Sequence, residues 1–290
     1  MLRKNKVAKY GFEFMFYADF VEVYGLNSYE TSVEAMEEIT QFASCEFAVR
    51  QFIIKYPQKM LTQLLQWSKH KNEHIRRLAS EGSRPRLPWA IALPDFKNNP
   101  KPILPILENL KNDESLYVRR SVANNLNDIA KDNPDVVINI AHKWHGNNEE
   151  TNWLVKHACR TLLKQGNTQL MLLFGFGSVE DIAVEEFKII TPSVKIGDVL
   201  SFSFQLKNNA KTPLKIRLEY AIYYLKANGL LSKKVFKISE KQYSQNSTSL
   251  ITKKQSFKVI STRKFYEGMH QVSVIVNGKE FEKLDFQLCE

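Results

Sequence analysis

The chain has 290 residues, of which 43% are hydrophobic, 25% are charged and 11% are aromatic. This composition is typical of globular proteins and excludes the disordered, collagen-like and coiled-coil classes. No run approaches the roughly 18 uncharged apolar residues of a membrane-spanning helix, so we expect no membrane partner. The basic first residues lead into no apolar segment and the three cysteines are scattered. We therefore expect a cytoplasmic protein without a secretion signal or a disulfide framework.

Positive charge is concentrated toward the C-terminal end. The formal net charge is +10. Residues 184–290 hold 18 Lys and Arg against 10 Asp and Glu, a net +8, which leaves +2 for residues 1–183. A strongly basic protein often binds a polyanion, and nucleic acid is the first candidate.

Residues 1–182 show the pattern of short helices. Apolar residues recur there at the three- and four-residue spacing of amphipathic helices of about 10 to 15 residues. The breaks between the apolar runs lie at Pro57, Pro100, Pro134 and residues 146–148.

A loose repeat runs through these helices. An apolar residue followed by basic residues begins the motif at Val49, Ile75, Val118 and Val155. The last three copies begin 43 and 37 residues apart, which is the length of a two-helix HEAT or armadillo unit. Stacked units of this kind leave a concave inner surface, so we predict a HEAT-like α-α solenoid.

From residue 183 onward the hydrophobic period is two. The clearest alternating runs are 187–189, 199–204, 214–218 and 272–276. Seven or eight short strands in roughly 105 residues are typical of an immunoglobulin-like β-sandwich, which we predict over residues 183–290. Residues 229–234 and 243–254 are predicted as loops or exposed hairpins. The expected fold class is therefore a multidomain protein, all-α and then all-β.

Residues 80–90 do not fit a solenoid turn. This short linker holds two prolines together with Arg84, Arg86 and Trp89. The prolines fix a rigid path, the guanidinium groups suit phosphates, and the indole offers a flat apolar face. The alternative is a helix end with Trp89 packed into the core.

Superposing the repeats predicts a cluster of acidic side chains. Glu81 and Asn124 each lie six positions after the apolar residue of their motif, and Asp128 lies one helical turn beyond Asn124. Glu46 stands at the start of the preceding helix. The alternatives are a favourable charge at a helix N-terminus for Glu46 and simple solvent exposure for Asp128. Carboxylates that face DNA weaken its binding, so an acid cluster among arginines points to chemistry.

These segments resemble the AlkC branch of the HEAT-like DNA alkylation-repair glycosylases. The similar motifs are SEGSRPRLPW at residues 80–89, PIL at 105–107 and YVRRSVANNLNDI at 117–129, with 19–25 and 44–52. The resemblance covers about residues 10–175, and some AlkC-type members carry a C-terminal immunoglobulin-like domain.

The resemblance implies a monofunctional glycosylase that excises cationic alkylated bases, such as 3-methyladenine and 3-methylcytosine, from duplex DNA without base flipping. It also implies that Glu46, Glu81, Trp89 and Asp128 occupy the active-site positions of the family. A cationic base leaves without a general acid, whereas a carboxylate stabilises the charge that develops on the sugar and orients the attacking water. We expect Asp128 in this role, supported by the two glutamates, and Trp89 packed on the lesion or its deoxyribose.

The expected partner is double-stranded DNA containing alkylated bases, bound by a monomer. The expected DNA-binding residues are Arg50, Arg84, Arg86, Arg119, Arg120 and Asn124. We also expect the basic sandwich to contact DNA, through the pairs Lys233-Lys234 and Lys253-Lys254. Neither a nucleotide-binding motif nor a recognisable set of metal ligands occurs, so no cofactor and no metal are expected.

Two other functions fit the same sequence. One is a non-catalytic HEAT-repeat module that binds damaged or distorted DNA, and it would tolerate loss of Asp128. The other is a protein-interaction solenoid whose basic sandwich contacts an acidic partner.

The chain differs from the members of this family at its start. Members of the family have further helices before the segment with which this chain opens. We therefore expect Phe12, Phe14, Phe16 and Phe20 to lack part of a solenoid cap and to be exposed.

Overall fold

The structure is a computed structural model that describes residues 14–261 and 263–290. The chain divides into two compact units, Met1–Leu162 and Leu163–Glu290. The first unit is helical over its described residues, and the second consists mainly of β-strands. The expected order of an all-α part followed by an all-β part is confirmed. A domain boundary between residues 182 and 183 stays a prediction.

Short helices make up the first unit and the start of the second. Their bounds are α1 Met15–Tyr24, α2 Tyr29–Ile39, α3 Ala48–Lys55, α4 Pro57–Trp67, α5 Glu73–Gly82, α6 Pro94–Asn98, α7 Leu104–Leu110, α8 Leu116–Ile129, α9 Pro134–Trp144, α10 Glu149–Ala158, α11 Arg160–Lys164 and α12 Thr168–Leu173. Two turns of 3-10 helix, Gly25–Asn27 and Lys101–Ile103, connect some of them.

The helix starts follow the predicted breaks. Pro57 and Pro134 are the first residues of α4 and α9, where a missing backbone N–H costs nothing. The side chains of Asn72 and Asn148 cap α5 and α10 by accepting hydrogen bonds from backbone N–H groups.

The helices pack as stacked pairs. The pairs are α4 with α5, α7 with α8, and α9 with α10, and α8 lies between α5 and α10. The motif residues Ile75, Val118 and Val155 are buried in these three helices. The predicted HEAT-like arrangement is therefore confirmed, with α5, α8 and α10 as neighbouring inner helices.

Helix α1 carries exposed aromatic residues. Phe16 and Phe20 are exposed, as expected, whereas Phe14 is half-buried and Phe12 lies outside the described residues. In the described part of the chain, no helix combines the length and the apolar character that crossing a bilayer would require.

The second unit is a two-sheet sandwich. Its strands are β1 Ile182–Ile189, β2 Ser193–Lys195, β3 Val199–Asn208, β4 Leu214–Leu225, β5 Leu231–Tyr243, β6 Ser247–Ser256, β7 Gly268–Val276 and β8 Lys279–Cys289. One sheet has the order β1-β3-β6 and the other β2-β8-β7-β4-β5. All neighbouring strands are antiparallel except β2 and β8, which are parallel.

Aromatic residues fill the space between the sheets. Phe202, Phe204, Phe257 and Phe286 are fully buried there. Alternate residues of β4 from Ile216 to Tyr224 point into the same core, as the period of two predicts.

One of the two segments predicted as loops or exposed hairpins differs from the prediction. Residues 229–234 lie at the tip of the β4–β5 hairpin, as predicted, whereas most of 243–254 belongs to β6, which pairs with β3 along its whole length. Thr and Ile favour a strand in β6, but its half-buried positions are mostly Ser, Lys and Gln and its Leu250 is exposed, so the segment lacks the apolar alternation that marks a buried strand.

Candidate active site

Three acidic side chains of the helical unit are drawn together by the inner helices. Glu81 lies in the last turn of α5, Asp128 in the last turn of α8, and Glu46 two residues before α3. Because α5 and α8 pack side by side, their ends bring Glu81 and Asp128 close together.

Arg84 joins the two buried carboxylates. Its Nη1 donates to Glu81 Oε1 at 2.6 Å, and its Nε donates to Asp128 Oδ2 at 2.8 Å. All three side chains are buried, where an unpaired charge would be costly. Burial lowers the pKa of Arg84, but the two carboxylates outweigh it and raise the pKa above its ordinary value. The guanidinium therefore stays protonated.

Arg77 connects Glu46 to the same group. Its Nη1 lies 2.5 Å from Glu46 Oε2, and its Nη2 lies 3.6 Å from Glu81 Oε1. Ser44 Oγ donates to Glu46 Oε2 at 2.8 Å, and Ser121 Oγ donates to Glu81 Oε2 at 2.6 Å. The two glutamates are thus held by hydroxyls as well as by arginines.

Lys131 completes the arrangement. Its Nζ lies 2.9 Å from Asp128 Oδ1, so both oxygens of Asp128 have a cationic partner. The Asp128 side chain is only 2% exposed, whereas the Lys131 side chain is 41% exposed. We call this alternating series the ion-pair chain; in order, its members are Glu46, Arg77, Glu81, Arg84, Asp128 and Lys131.

Arg50 fixes the loop of residues 82–91. Its Nε donates to Ile91 O at 2.6 Å, and its Nη1 donates to Gly82 O at 3.0 Å and to Arg84 O at 2.8 Å. The side chain is fully buried. Burial, followed by the positive charge of Arg84, lowers its pKa to about 10. Arg50 therefore binds the main chain at both ends of the loop. We call these three hydrogen bonds the Arg50 clasp.

Gly82 allows this close packing. A Cβ atom at position 82 would lie 2.4 Å from Cγ1 of Val49 in α3. Only a residue without a side chain lets the end of α5 approach α3, where Arg50 can reach it.

Trp89 protrudes from the clasped loop. Its side chain is 99% exposed, which excludes the alternative of a core residue. Its backbone φ is 63°, in the left-handed region that costs a residue other than glycine about 1–2 kcal/mol. An exposed indole held in a strained conformation is typical of a ligand contact.

The other predicted DNA contacts are partly on the surface. Arg86 is exposed and forms a two-bond pair with Asp132, at 2.7 and 2.6 Å, and Arg120 is exposed as well. Arg119 is half-buried, and its Nη1 donates to the backbone oxygens of two residues before α8. Asn124 Oδ1 accepts a hydrogen bond from Arg160 Nη2 at 3.1 Å.

Two of the predicted phosphate contacts are internal instead. The guanidinium groups of Arg50 and Arg84 are buried, the first among backbone carbonyls and the second between carboxylates. We therefore correct the expectation for these two residues, because their guanidinium groups are buried and bound to groups inside the protein.

Several side chains of the site were not singled out from the sequence. Arg77 and Lys131 lie four and three positions from the acids that they pair with, a spacing that would have identified them. Tyr117 was also missed. Its ring centre lies 4.9 Å from the Arg77 guanidinium, and burial raises its pKa. The contacts of Ser121 and Arg160 follow only from the packing of neighbouring helices.

Comparison with known proteins agrees with this architecture. The family model of the DNA alkylation repair enzymes matches residues 17–162, and a model of the C-terminal Ig-like domain of the uncharacterised protein YhaZ matches residues 183–290. Uncharacterized protein YhaZ of Bacillus subtilis (strain 168) is 49% identical over 279 residues, which cover 96% of this chain and 78% of that protein.

A solved structure is similar over nearly the whole chain. It is the alkylpurine DNA glycosylase AlkC of Pseudomonas fluorescens, bound to DNA that contains an abasic-site analogue. The TM-score is 0.93 at 39% identity, covering 96% of this chain and 78% of that one. The chain therefore belongs to the DNA alkylation repair enzyme family, as an AlkC-like member with a C-terminal immunoglobulin-like domain.

Proposed function

We propose that this protein is a DNA glycosylase that hydrolyses the N-glycosidic bond of cationic alkylated bases in duplex DNA. The observation that carries the proposal is the ion-pair chain, which joins three carboxylates through Arg84, an arginine of the same loop that carries the exposed, strained Trp89. The likeness to an alkylpurine glycosylase bound to DNA supports the same assignment.

Asp128 has the main chemical role in this proposal. An alkylated base such as 3-methyladenine or 3-methylcytosine is already cationic, so it departs with the electron pair of the glycosidic bond and becomes neutral. Positive charge is left on the sugar, and a fixed carboxylate stabilises it. Water then attacks C1′ and gives up a proton to the carboxylate. Arg84 fixes Oδ2 of Asp128, so Oδ1, which Lys131 binds in the free protein, is the oxygen proposed to do this work.

The position of Trp89 supports excision without base flipping. A flipped base needs an enclosing pocket, whereas this indole projects fully into solvent from a rigid loop. The exposed ring can pack against the deoxyribose or the cationic base of a lesion that stays in the duplex.

Arg86 and Arg120 are the proposed phosphate contacts of the helical unit, since both guanidinium groups reach the surface. We propose that the basic sandwich adds affinity for DNA through Lys254 of β6, whose side chain is exposed, whereas Lys253 lies on the opposite, half-buried face of the strand. Replacing Lys254 with Gln is expected to lower the slope of log K against log salt by about 0.9, the value for one lost contact. An unchanged slope would remove the sandwich from the interface.

The direct test of the proposed function is release of methylated base from duplex DNA treated with a methylating agent. We expect release by the wild type and its loss in Asp128→Asn, which keeps the size of the side chain but not its charge. Asp135→Asn is the matched control, because Asp135 is an exposed acid in the first turn of α9. Release should be retained in this control.

Binding without release would favour the non-catalytic alternative. If folded wild type binds methylated duplex but frees no base, the protein is a module that recognises damage. In that case Asp128→Asn should bind as well as the wild type or better. For the glycosylase, the proposed location is the cytoplasm and the proposed oligomeric state is a monomer.

A further inference from the structure

We infer that Lys131 is a displaceable counterion that covers Asp128 in the free protein and exposes it when a cationic lesion arrives. The inference rests on the proposed function and adds a basis for selecting charged lesions. It starts from a difficulty in the geometry. Asp128 is 2% exposed and both of its oxygens are bound, so in this state it can contact neither a sugar nor a water molecule.

The two partners of Asp128 differ in burial and in the number of contacts that hold them. Arg84 is buried, is held by Glu81 at 2.6 Å, and has its backbone carbonyl bound by Arg50. Lys131 lies in the turn after α8, its side chain is 41% exposed, and its Nζ has one carboxylate oxygen within 2.9 Å. Freeing Oδ2 would strand a buried guanidinium, whereas freeing Oδ1 only moves a lysine into solvent. Lys131 is therefore the partner that leaves.

DNA supplies the partners for an exchange of ion pairs. A phosphate can take the ammonium of Lys131, and the cationic base or sugar can take Oδ1 of Asp128. Both charges stay paired throughout. A neutral base provides no cation for the carboxylate, so with undamaged DNA Lys131 remains on Asp128 and the acid stays covered. Lys131 is thus a positioning residue that makes exposure of the acid depend on the charge of the lesion.

Salt dependence of binding tests this exchange without requiring catalysis. The probes are two identical duplexes, one with a cationic pyrrolidine abasic nucleotide and one with a neutral tetrahydrofuran abasic nucleotide. Each new phosphate contact adds about 0.9 to the slope of log K against log salt. For the wild type we expect the cationic probe to give the steeper slope by about this amount. In Lys131→Ala the two slopes should agree, and Lys131→Arg should restore the difference.

Lys237 provides the matched control. It also pairs with an acid three positions away, at 2.6 Å, and is 45% exposed, but it lies in β5 of the sandwich. Lys237→Ala should leave the difference between the two probes unchanged, even if it lowers both slopes equally.

Two results would overturn the inference: equal slopes for the two probes in the wild type, or a Lys131→Ala variant that lowers both slopes by the same amount. The second result would describe an ordinary phosphate contact. Failure of the proposed function is a separate observation, namely intact wild type that releases no methylated base. Release by the wild type that Asp128→Asn abolishes would uphold the proposed function, whichever way the salt slopes fall.

Discussion

Both units of the protein contain a buried arginine between two acids, with a half-exposed lysine at one end. In the helical unit the order is Glu81, Arg84, Asp128 and Lys131. In the sandwich the corresponding order is Glu219, Arg217, Glu240 and Lys237, with Arg217 lying 2.6 Å from Glu219 and 3.5 Å from Glu240. Residue types and burial alone would therefore mark two candidate sites.

The difference lies in where the partners come from. In the sandwich, Arg217 and Glu219 are two positions apart on β4, and Glu240 faces Arg217 across the β4–β5 ladder. Pairing of these two neighbouring strands is enough to assemble the cluster. In the helical unit, Arg84 and Asp128 are 44 positions apart, and the loop that carries Arg84 also presents the exposed Trp89. Thus a buried ion cluster indicates a functional site when it also fixes a surface group that can meet a ligand.

The largest expected effects come from removing the central arginine of each cluster. Arg84→Met and Arg217→Met should each lower the free energy of unfolding by about 3–5 kcal/mol, because each leaves a buried carboxylate oxygen, Asp128 Oδ2 or Glu219 Oε1, without its cationic partner. Per folded molecule, Arg84→Met should also lower base release by about a hundredfold through misplacement of Asp128. Arg217→Met should leave release unchanged. Chemical unfolding measures the first quantity and single-turnover assays measure the second. Reduced release in folded Arg217→Met would contradict the claim that only the helical cluster belongs to a functional site.

Removing the clasp should have a smaller effect on stability. Arg50→Met removes the Arg50 donors from three carbonyl groups, two of them in buried hydrogen bonds, and should cost about 2 kcal/mol. Base release should fall while binding of undamaged duplex stays the same, because the phosphate contacts are elsewhere. Arg50→Lys should recover part of the activity. Unchanged release in Arg50→Met would show that Trp89 does not depend on the clasp.

A substitution at Trp89 should separate stability from activity. Trp89→Gly relieves the positive φ and removes no buried contact, so the free energy of unfolding should rise by about 1 kcal/mol. Base release should fall roughly tenfold, the loss expected for one cation–π contact. A stabilised variant with full activity would show that the indole has no role in catalysis.

The smallest effect concerns pH. Burial lowers the pKa of His270 in the sandwich below its ordinary value of 6.5, although hydrogen bonds to backbone groups oppose the shift. As the pH falls, His270 therefore takes up its proton at a higher pH in the unfolded chain than in the folded one. The free energy of unfolding should fall as the pH drops below about 6.5. His270→Gln should weaken this dependence. Chemical unfolding at pH 7.5 and pH 5.5 measures it, and an equal fall in both proteins would contradict the assignment.

The sequence predicted the acid cluster because helix geometry determines it. The spacing of Glu81, Asn124 and Asp128 relative to their repeats places them on one surface, and the structure brings Glu81 and Asp128 to a shared arginine. The partners of the acids within one helical turn, Arg77 and Lys131, follow from the same geometry. The two layers of the sandwich followed from the period of two in its buried strands.

The internal roles of Arg50 and Arg84 could not be predicted from the sequence. Arg50 meets its carbonyls 32, 34 and 41 positions away, through a loop whose path depends on the packing of α3 against α5. An arginine near a presumed DNA surface suits a phosphate equally well by residue type. Strand β6 was missed for a related reason, since its alternation is between polar residues and depends on pairing with β3.

The clasp by Arg50 has a consequence for how this protein can change. Arg50 binds only main-chain oxygens, which every amino acid provides, so the side chains between the two anchor points are not specified by it. Substitutions at the exposed positions 86, 88 and 89 can therefore alter the surface of the loop while its backbone keeps its course. If the loop meets DNA as proposed, its lesion preference can change by substitution at the tip without loss of the fold that supports it.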